Sequence, residues 1–165
     1  MERAKIVLAA SLVLCGTLGC AGLVDNSRMS LREPGEQLRD LPGAVAEEHT
    51  CAEHELPHVE IESNELLPKR LQPGGELNHR LIDAMCPKSP TNVLRGRLLT
   101  RIRHRGEAFV IEEIDDYELK PGRWIIDAFV ELPSDAVDGV YALEVVFLSE
   151  SLSFEKSVTF AVQGS

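Results

Sequence analysis

Two alternating apolar runs, Trp124–Leu132 and Val140–Leu148, dominate the C-terminal third of the chain. Pro133, Ser134, Asp135 and the Asp138–Gly139 pair separate them, and Pro121-Gly122 precedes the first. Alternation bounded by turn residues predicts strands with one buried face. In the first run Trp124, Ile126, Ala128, Val130 and Leu132 share a face; in the second, Tyr141, Leu143, Val145 and Phe147 do. The same texture extends to either side. His58–Asn64 alternates Val59 and Ile61 with Glu60 and Glu62, and Leu77–Cys86 puts Ile82, Ala84 and Cys86 on one side. Pro68, Pro73, Gly74 and Gly75 form a loop between those two runs, and Pro87 and Pro90 end the second. Val93–Arg105 sets Leu94, Gly96, Leu98, Thr100 and Ile102 against Arg95, Arg97, Arg101 and Arg103. Arg105-Gly106-Glu107 predicts a hairpin turn into Ala108–Ile114, which runs into an acidic patch at Glu112, Glu113, Asp115 and Asp116. Phe154–Val162 closes the set through Val158, Phe160 and Val162. About seven strands without an intervening amphipathic helix predict an all-β fold, an antiparallel two-sheet sandwich.

The first third reads differently. Arg3 and Lys5 precede an apolar run, Ile6–Leu14, that is too short to span a bilayer as a permanent helix and reads as a cleaved export signal. Leu18-Gly19-Cys20 resembles the lipobox of bacterial lipoproteins, with Thr17 where that family usually has Leu. The resemblance implies cleavage before Cys20, a thioether-linked diacylglycerol on its sulfur and an acylated new N-terminus. Several acyl chains make a stable anchor, at roughly 0.8 kcal/mol per buried methylene. Ala21, in place of Asp, implies sorting to an outer membrane, facing the periplasm, in a Gram-negative source. The plainer alternative is a secretory signal cleaved near Ala21. Ala21–Leu56 mixes charges with Pro34, Gly35, Pro42 and Gly43, and a short helix over Ala44–Glu55 is the one element it could form. The expected division is a signal peptide over 1–19, a lipidated and largely irregular tether over 20–56, and the sandwich over 57–165.

Gly139-Val140-Tyr141, entering a strand after a Pro-containing turn, resembles the tyrosine corner of immunoglobulin-like domains. Val137 stands where those domains often carry Asp. The resemblance implies an Ig-like sandwich in which the Tyr141 hydroxyl bonds back to nearby backbone.

Cysteine usage follows from the export reading. With Cys15 in the signal and Cys20 lipidated, Cys51 and Cys86 remain, and in an exported domain two such residues are expected to pair. Closing their loop stabilises by roughly 3–4 kcal/mol on the chain-entropy argument. The formal net charge of -10 argues against nucleic acid as a partner, since such binding draws on neutralised phosphates.

Three groups could carry chemistry. His49, His54 and His58 around Cys51 are of types that hold zinc or copper, although their spacing matches no standard site and a disulfide would take the thiolate. The bland alternative is a polar segment with histidines beside a disulfide. Arg95, Arg97, Arg101 and Arg103 could bind an anionic ligand such as lipid A, an anionic glycan or an acidic partner. Against that stands cross-strand pairing with Glu112, Glu131 or Asp127. Trp124 could stack on a sugar, but its register assigns it to the core. Asp115 and Asp116 are adjacent and face opposite sides of a strand, and no nucleophile–base spacing is recognisable. The expectation is a lipid-anchored, non-enzymatic binding or scaffold module of the cell envelope, without a cofactor, contacting protein, glycan or lipid. The alternatives are a periplasmic metal-binding lipoprotein using His49, His54 and His58, and a small envelope enzyme with an unrecognised site.

Overall fold

A computed structural model describes residue 25 and residues 27–164. The segment expected to be an export signal, and Cys20, lie outside the described residues. Two sheets pack face to face. The first has the order β1 (Gly35–Asp40), β7 (Gly122–Glu131), β4 (Glu76–Cys86), β2 (His58–Leu67). The second has the order β3 (Arg70–Leu71), β9 (Ser153–Val162), β8 (Gly139–Leu148), β5 (Leu94–His104), β6 (Glu107–Leu119). Every pairing is antiparallel except β3 with β9. The fold is the all-β sandwich expected, and β2 and β4 to β9 are the seven strands that the alternation marks.

Tyr141, Leu143, Val145 and Phe147 all turn inward from β8 and are buried. The Tyr141 hydroxyl donates to the Val137 carbonyl at 2.8 Å, a bond back to nearby backbone of the kind the resemblance implies. Phe160 lies 5.5 Å from the Tyr141 ring and Phe154 the same distance from Phe147, so aromatic contacts line the middle of the second sheet. Gly96 has a steric reason: a Cβ there would meet a Phe147 ring carbon at 2.6 Å. The β5–β6 turn is two residues, Arg105 and Gly106, with φ of 50° and 89°. Positive φ at both positions matches the right-handed twist of a hairpin.

The expected tether over 20–56 is corrected by the structure. Its Gly35–Asp40 stretch is β1, paired along β7, and Pro42–Glu48 forms a helix, α1, in place of the longer one over Ala44–Glu55. A short 3-10 turn follows at Cys51–Glu53. The physical reason is burial: fully covered Val45 packs with Ala84 and Cys86, and Cys51 is disulfide-bonded to Cys86 with Cα atoms 5.6 Å apart. The shared face of Ala84 and Cys86 is therefore the outer face of the first sheet, roofed by α1. The inner face of β4 carries Leu77, Leu81 and Met85, which join the clusters between the sheets or are buried beside them.

Two ionisable groups share that inner face. His79 is buried and bonded to Asn64 Oδ1 at 2.6 Å. Desolvation pushes it down from 6.5 to about 4, against a smaller pull from Asp127. Asp83 is buried with no side-chain partner for its carboxylate among the described residues, and burial, reinforced by Glu36, pushes it up from 3.8 to about 7. Their effects on stability have opposite signs. Folded Asp83 holds its proton more tightly than the unfolded chain does, so its cost is absent below pH 3.8, grows toward 7 and is complete above that. Folded His79 holds its proton less tightly, so its cost grows as pH falls from 6.5 to about 4. Across that window the two slopes oppose each other. Asp83→Asn is expected to raise the thermal midpoint most above pH 7 and to leave stability rising with pH between 4 and 6.5. Thermal melts across this range check it; parallel profiles for the two proteins would contradict the burial argument.

Candidate functional site

Alternation in β5 turns Arg95, Arg97, Arg101 and Arg103 to the outer face of the second sheet, and each meets a carboxylate there. Arg95 pairs with Glu118, directly opposite on β6, and Arg97 with Glu113. Arg101 Nε donates to Glu144 Oε2 at 2.6 Å and Arg103 Nε to Glu144 Oε1 at 2.9 Å. Glu144 is only 7% exposed. Hydrogen bonding from Arg103, against the cost of burial and aided by Arg101, holds its carboxyl below the usual range. The partners differ from the Glu112, Glu131 and Asp127 named from sequence. Asp127 and Glu131 belong to β7 in the other sheet, where Asp127 receives Arg80 at 2.6 Å, and Glu112 stands opposite inward-facing Thr100. The stripe's charge is used within its own sheet.

The three histidines do not converge. His49 reaches Glu60 Oε2 with Nδ1 (3.0 Å) and Glu62 Oε1 with Nε2 (2.9 Å). His54 and His58 stack on each other with ring centroids 4.0 Å apart. Among the described residues the group with metal-like donor spacing is Glu48, His49 and Glu62. Its cation is already present: Arg123 Nη2 lies 2.9 Å from Glu48 Oε2 and 2.7 Å from Glu62 Oε1, and Nη1 pairs with Asp40. Burial alone would raise Glu62, but the guanidinium outweighs it and holds the carboxyl below the usual range. The same carboxylates, Glu62 first, push Arg123 further up. Cys51 is in the disulfide.

Trp124 sits on the inner face of β7 and is half-buried; its indole N–H donates to the Pro121 carbonyl at 3.1 Å, and Lys120 Nζ lies 4.8 Å from the ring centroid. The ring is thus engaged from within the chain. The side-chain hydrogen bonds of His49, His79 and His104 among the described residues go to Glu60, Glu62 and Arg123, to Asn64, and to the Val140 carbonyl; none reaches a serine, threonine or cysteine.

The surface that alternation did not single out is β6. It is the last strand of its sheet, paired on one side by β5, and no strand among the described residues pairs its other edge. All residues from Glu107 to Asp116 are exposed, among them Phe109 (55%), Val110 (58%), Ile111 and Ile114. A groove of about 700 Å³ runs between this strand and the β7–β8 connection, lined by Phe109, Ile111, Pro133, Ala136 and Val137 with His104 at one wall. His104 stacks on Tyr141 at 4.0 Å, and its Nδ1–H donates to the Val140 carbonyl at 3.0 Å. That bond leaves Nε2 as an acceptor, without a partner among the described residues. Large exposed apolar side chains in a row on a sheet edge are the recognisable signal here.

No family model matches the chain, and no curated protein sequence does. Among solved structures it is similar to Spo0M, the sporulation control protein of Bacillus subtilis, at 13% identity and a TM-score of 0.46 over 65% of this chain and 50% of that one. It is also similar to a β-glucosidase from Listeria innocua in complex with glucose (15% identity, TM-score 0.44, 67% of this chain and 17% of that one). A conjugate transposon protein of Bacteroides vulgatus shares 14% identity, with a TM-score of 0.35 over 68% of this chain and 89% of that one. The chain spans half the length of the first and under a fifth of the second. Function has to be read from this chain's own residues.

Arg123→Met would leave Asp40, Glu48 and Glu62 facing one another without a cation. Loss of about 2 kcal/mol in urea unfolding is expected, below the value for a fully buried pair because Glu48 is well exposed. Backbone amides of 35–53 should exchange faster. Unchanged exchange there would show that the disulfide and Val45 hold the segment alone.

Proposed function

We propose that this chain is a non-catalytic binding module of the cell envelope, anchored by lipid at Cys20 and presenting the open edge of β6 with its groove. The observation that supports it is that edge: a long strand, exposed from Glu107 to Asp116, with large apolar side chains beside an apolar groove. A row of unpaired backbone groups next to such side chains favours strand addition, one of the recurring modes of peptide recognition. Strand addition needs a protein partner, so protein ranks ahead of glycan or lipid as the ligand. The arginine stripe is the weaker surface for recognition, since its guanidinium groups are already committed to Glu118, Glu113 and Glu144.

The anchor reading rests on Leu18-Gly19-Cys20, and Ala21 directs it to an outer membrane facing the periplasm. The metal-binding alternative loses ground because His49 does not converge with His54 and His58, Cys51 is in the disulfide, and Arg123 supplies the positive charge that an ion would bring to Glu48, His49 and Glu62. Cys20→Ala is expected to move the protein from the membrane fraction to the soluble or unprocessed fraction, checked by fractionation and by labelling with a clickable fatty acid. Retention on membranes without label would overturn the anchor. A photo-reactive residue at position 111 should give discrete protein adducts in intact cells, and the same group placed at Glu155 on the stripe's face should not; adducts at neither position would overturn the module reading.

A further inference from the structure

The partner's chemistry can be taken a step further, resting on the reading of β6 as the binding edge. β6 is acidic as well as open. Glu107, Glu112 and Asp116 have no ion-pair partner among the described residues, while Glu113 and Glu118 are taken by Arg97 and Arg95. Register places Phe109, which lines the groove, opposite buried Ile102 and Glu112 opposite buried Thr100, so an apolar and an acidic group share the inward side of the strand. A flat, apolar, neutral edge would pair with any strand, including its own copy. A second copy of this chain brings the same carboxylates and the same net charge of -10, and like charges on adjacent strands repel. The acidic groups therefore act as a filter. They disfavour self-pairing and favour a strand of opposite sign.

We propose that the open edge of β6 takes up an extended, basic segment of a partner protein as an added strand of the second sheet. Backbone pairing supplies register-independent attraction. Alternate side chains of the incoming strand, apolar ones, enter the groove at Phe109, Ala136 and Val137. Lysine or arginine side chains between them meet Glu107, Glu112 and Asp116.

The test uses the mature domain and short synthetic peptides that alternate valine with lysine or valine with glutamate. The lysine peptide is expected to bind and to slow amide exchange along Glu107–Asp116; the glutamate peptide should bind at least tenfold more weakly. Methylating the backbone nitrogens along one edge of the lysine peptide should abolish binding, because it removes the donors of a strand ladder. Glu112→Lys with Asp116→Lys should weaken the lysine peptide by about tenfold, two reversed exposed charges being worth roughly that factor. Those substitutions lie on an exposed edge, so a folded variant is expected, and circular dichroism checks it. Equal binding of the methylated peptide would overturn strand addition, and indifference to the double substitution would overturn the charge argument. Self-association in sedimentation, with slowed amide exchange along Glu107–Asp116 in the absence of peptide, would assign the edge to a second copy instead. Adducts from position 111 in cells alongside peptide failure would retire the basic-strand proposal and leave the module reading standing; loss of both would retire both.

Discussion

Arg123 stands where four segments distant in the chain come together. It belongs to β7, and its guanidinium meets Asp40 at the end of β1, Glu48 at the end of α1 and Glu62 in β2, with His49 alongside at 3.3 Å. Without a cation there, three carboxylates would crowd onto one sheet face and weaken the hold on the segment before β2. With one, that segment closes over the first sheet. Val45 then covers Ala84 and Cys86, and the Cys51–Cys86 bond makes the arrangement covalent. The outer face of the first sheet is in this way a polar-clasped second core, continued by Arg32, Asn78, Asp127 and Arg80.

What alternation could reveal, it did. β8 and β9 contribute Tyr141, Leu143, Val145, Phe147 and Phe160 to the inner core from positions that share a face in the sequence. β1 was illegible for a physical reason: GEQLRD carries Leu38 as its sole large apolar residue, because an edge strand needs backbone pairing more than a buried face. In β4 the shared side of Ile82, Ala84 and Cys86 is the one expected, but its direction is not legible in the sequence. The strand is buried on both faces, so its apolar residues do not alternate, and Ala84 and Cys86 turn to the helix side rather than to the second sheet. Asp83 and His79 hide within the same run, as polar residues at inward positions that periodicity alone would not assign.

The surface argued for binding was visible only as composition. Phe109, Val110, Ile111 and Ile114 read like an ordinary core strand; nothing in their order tells that no strand would lie beside them. Edge position is a property of topology, set by which strands β5 and β8 choose. The arginines failed in the opposite direction. They looked like a free basic patch because their carboxylate partners, Glu118 and Glu144, lie 23 and 43 residues away from Arg95 and Arg101.

The way the chain enters the fold limits how the body can stand at a membrane. Arg28 Nη2 is held by Glu65 Oε1 at 2.7 Å, and Arg32 by the same carboxylate, which is on β2. Seven residues separate Arg28 from Cys20, a leash whose full stretch is on the order of 30 Å at most. On the proposed anchoring, the domain is therefore held close to the lipid by its β2 margin instead of ranging freely on a long stalk. β2 packs over β9, at the side of the sandwich away from β6. A short leash at one margin turns the opposite margin outward, so a partner would approach β6 from the aqueous side and would have no need to share the bilayer.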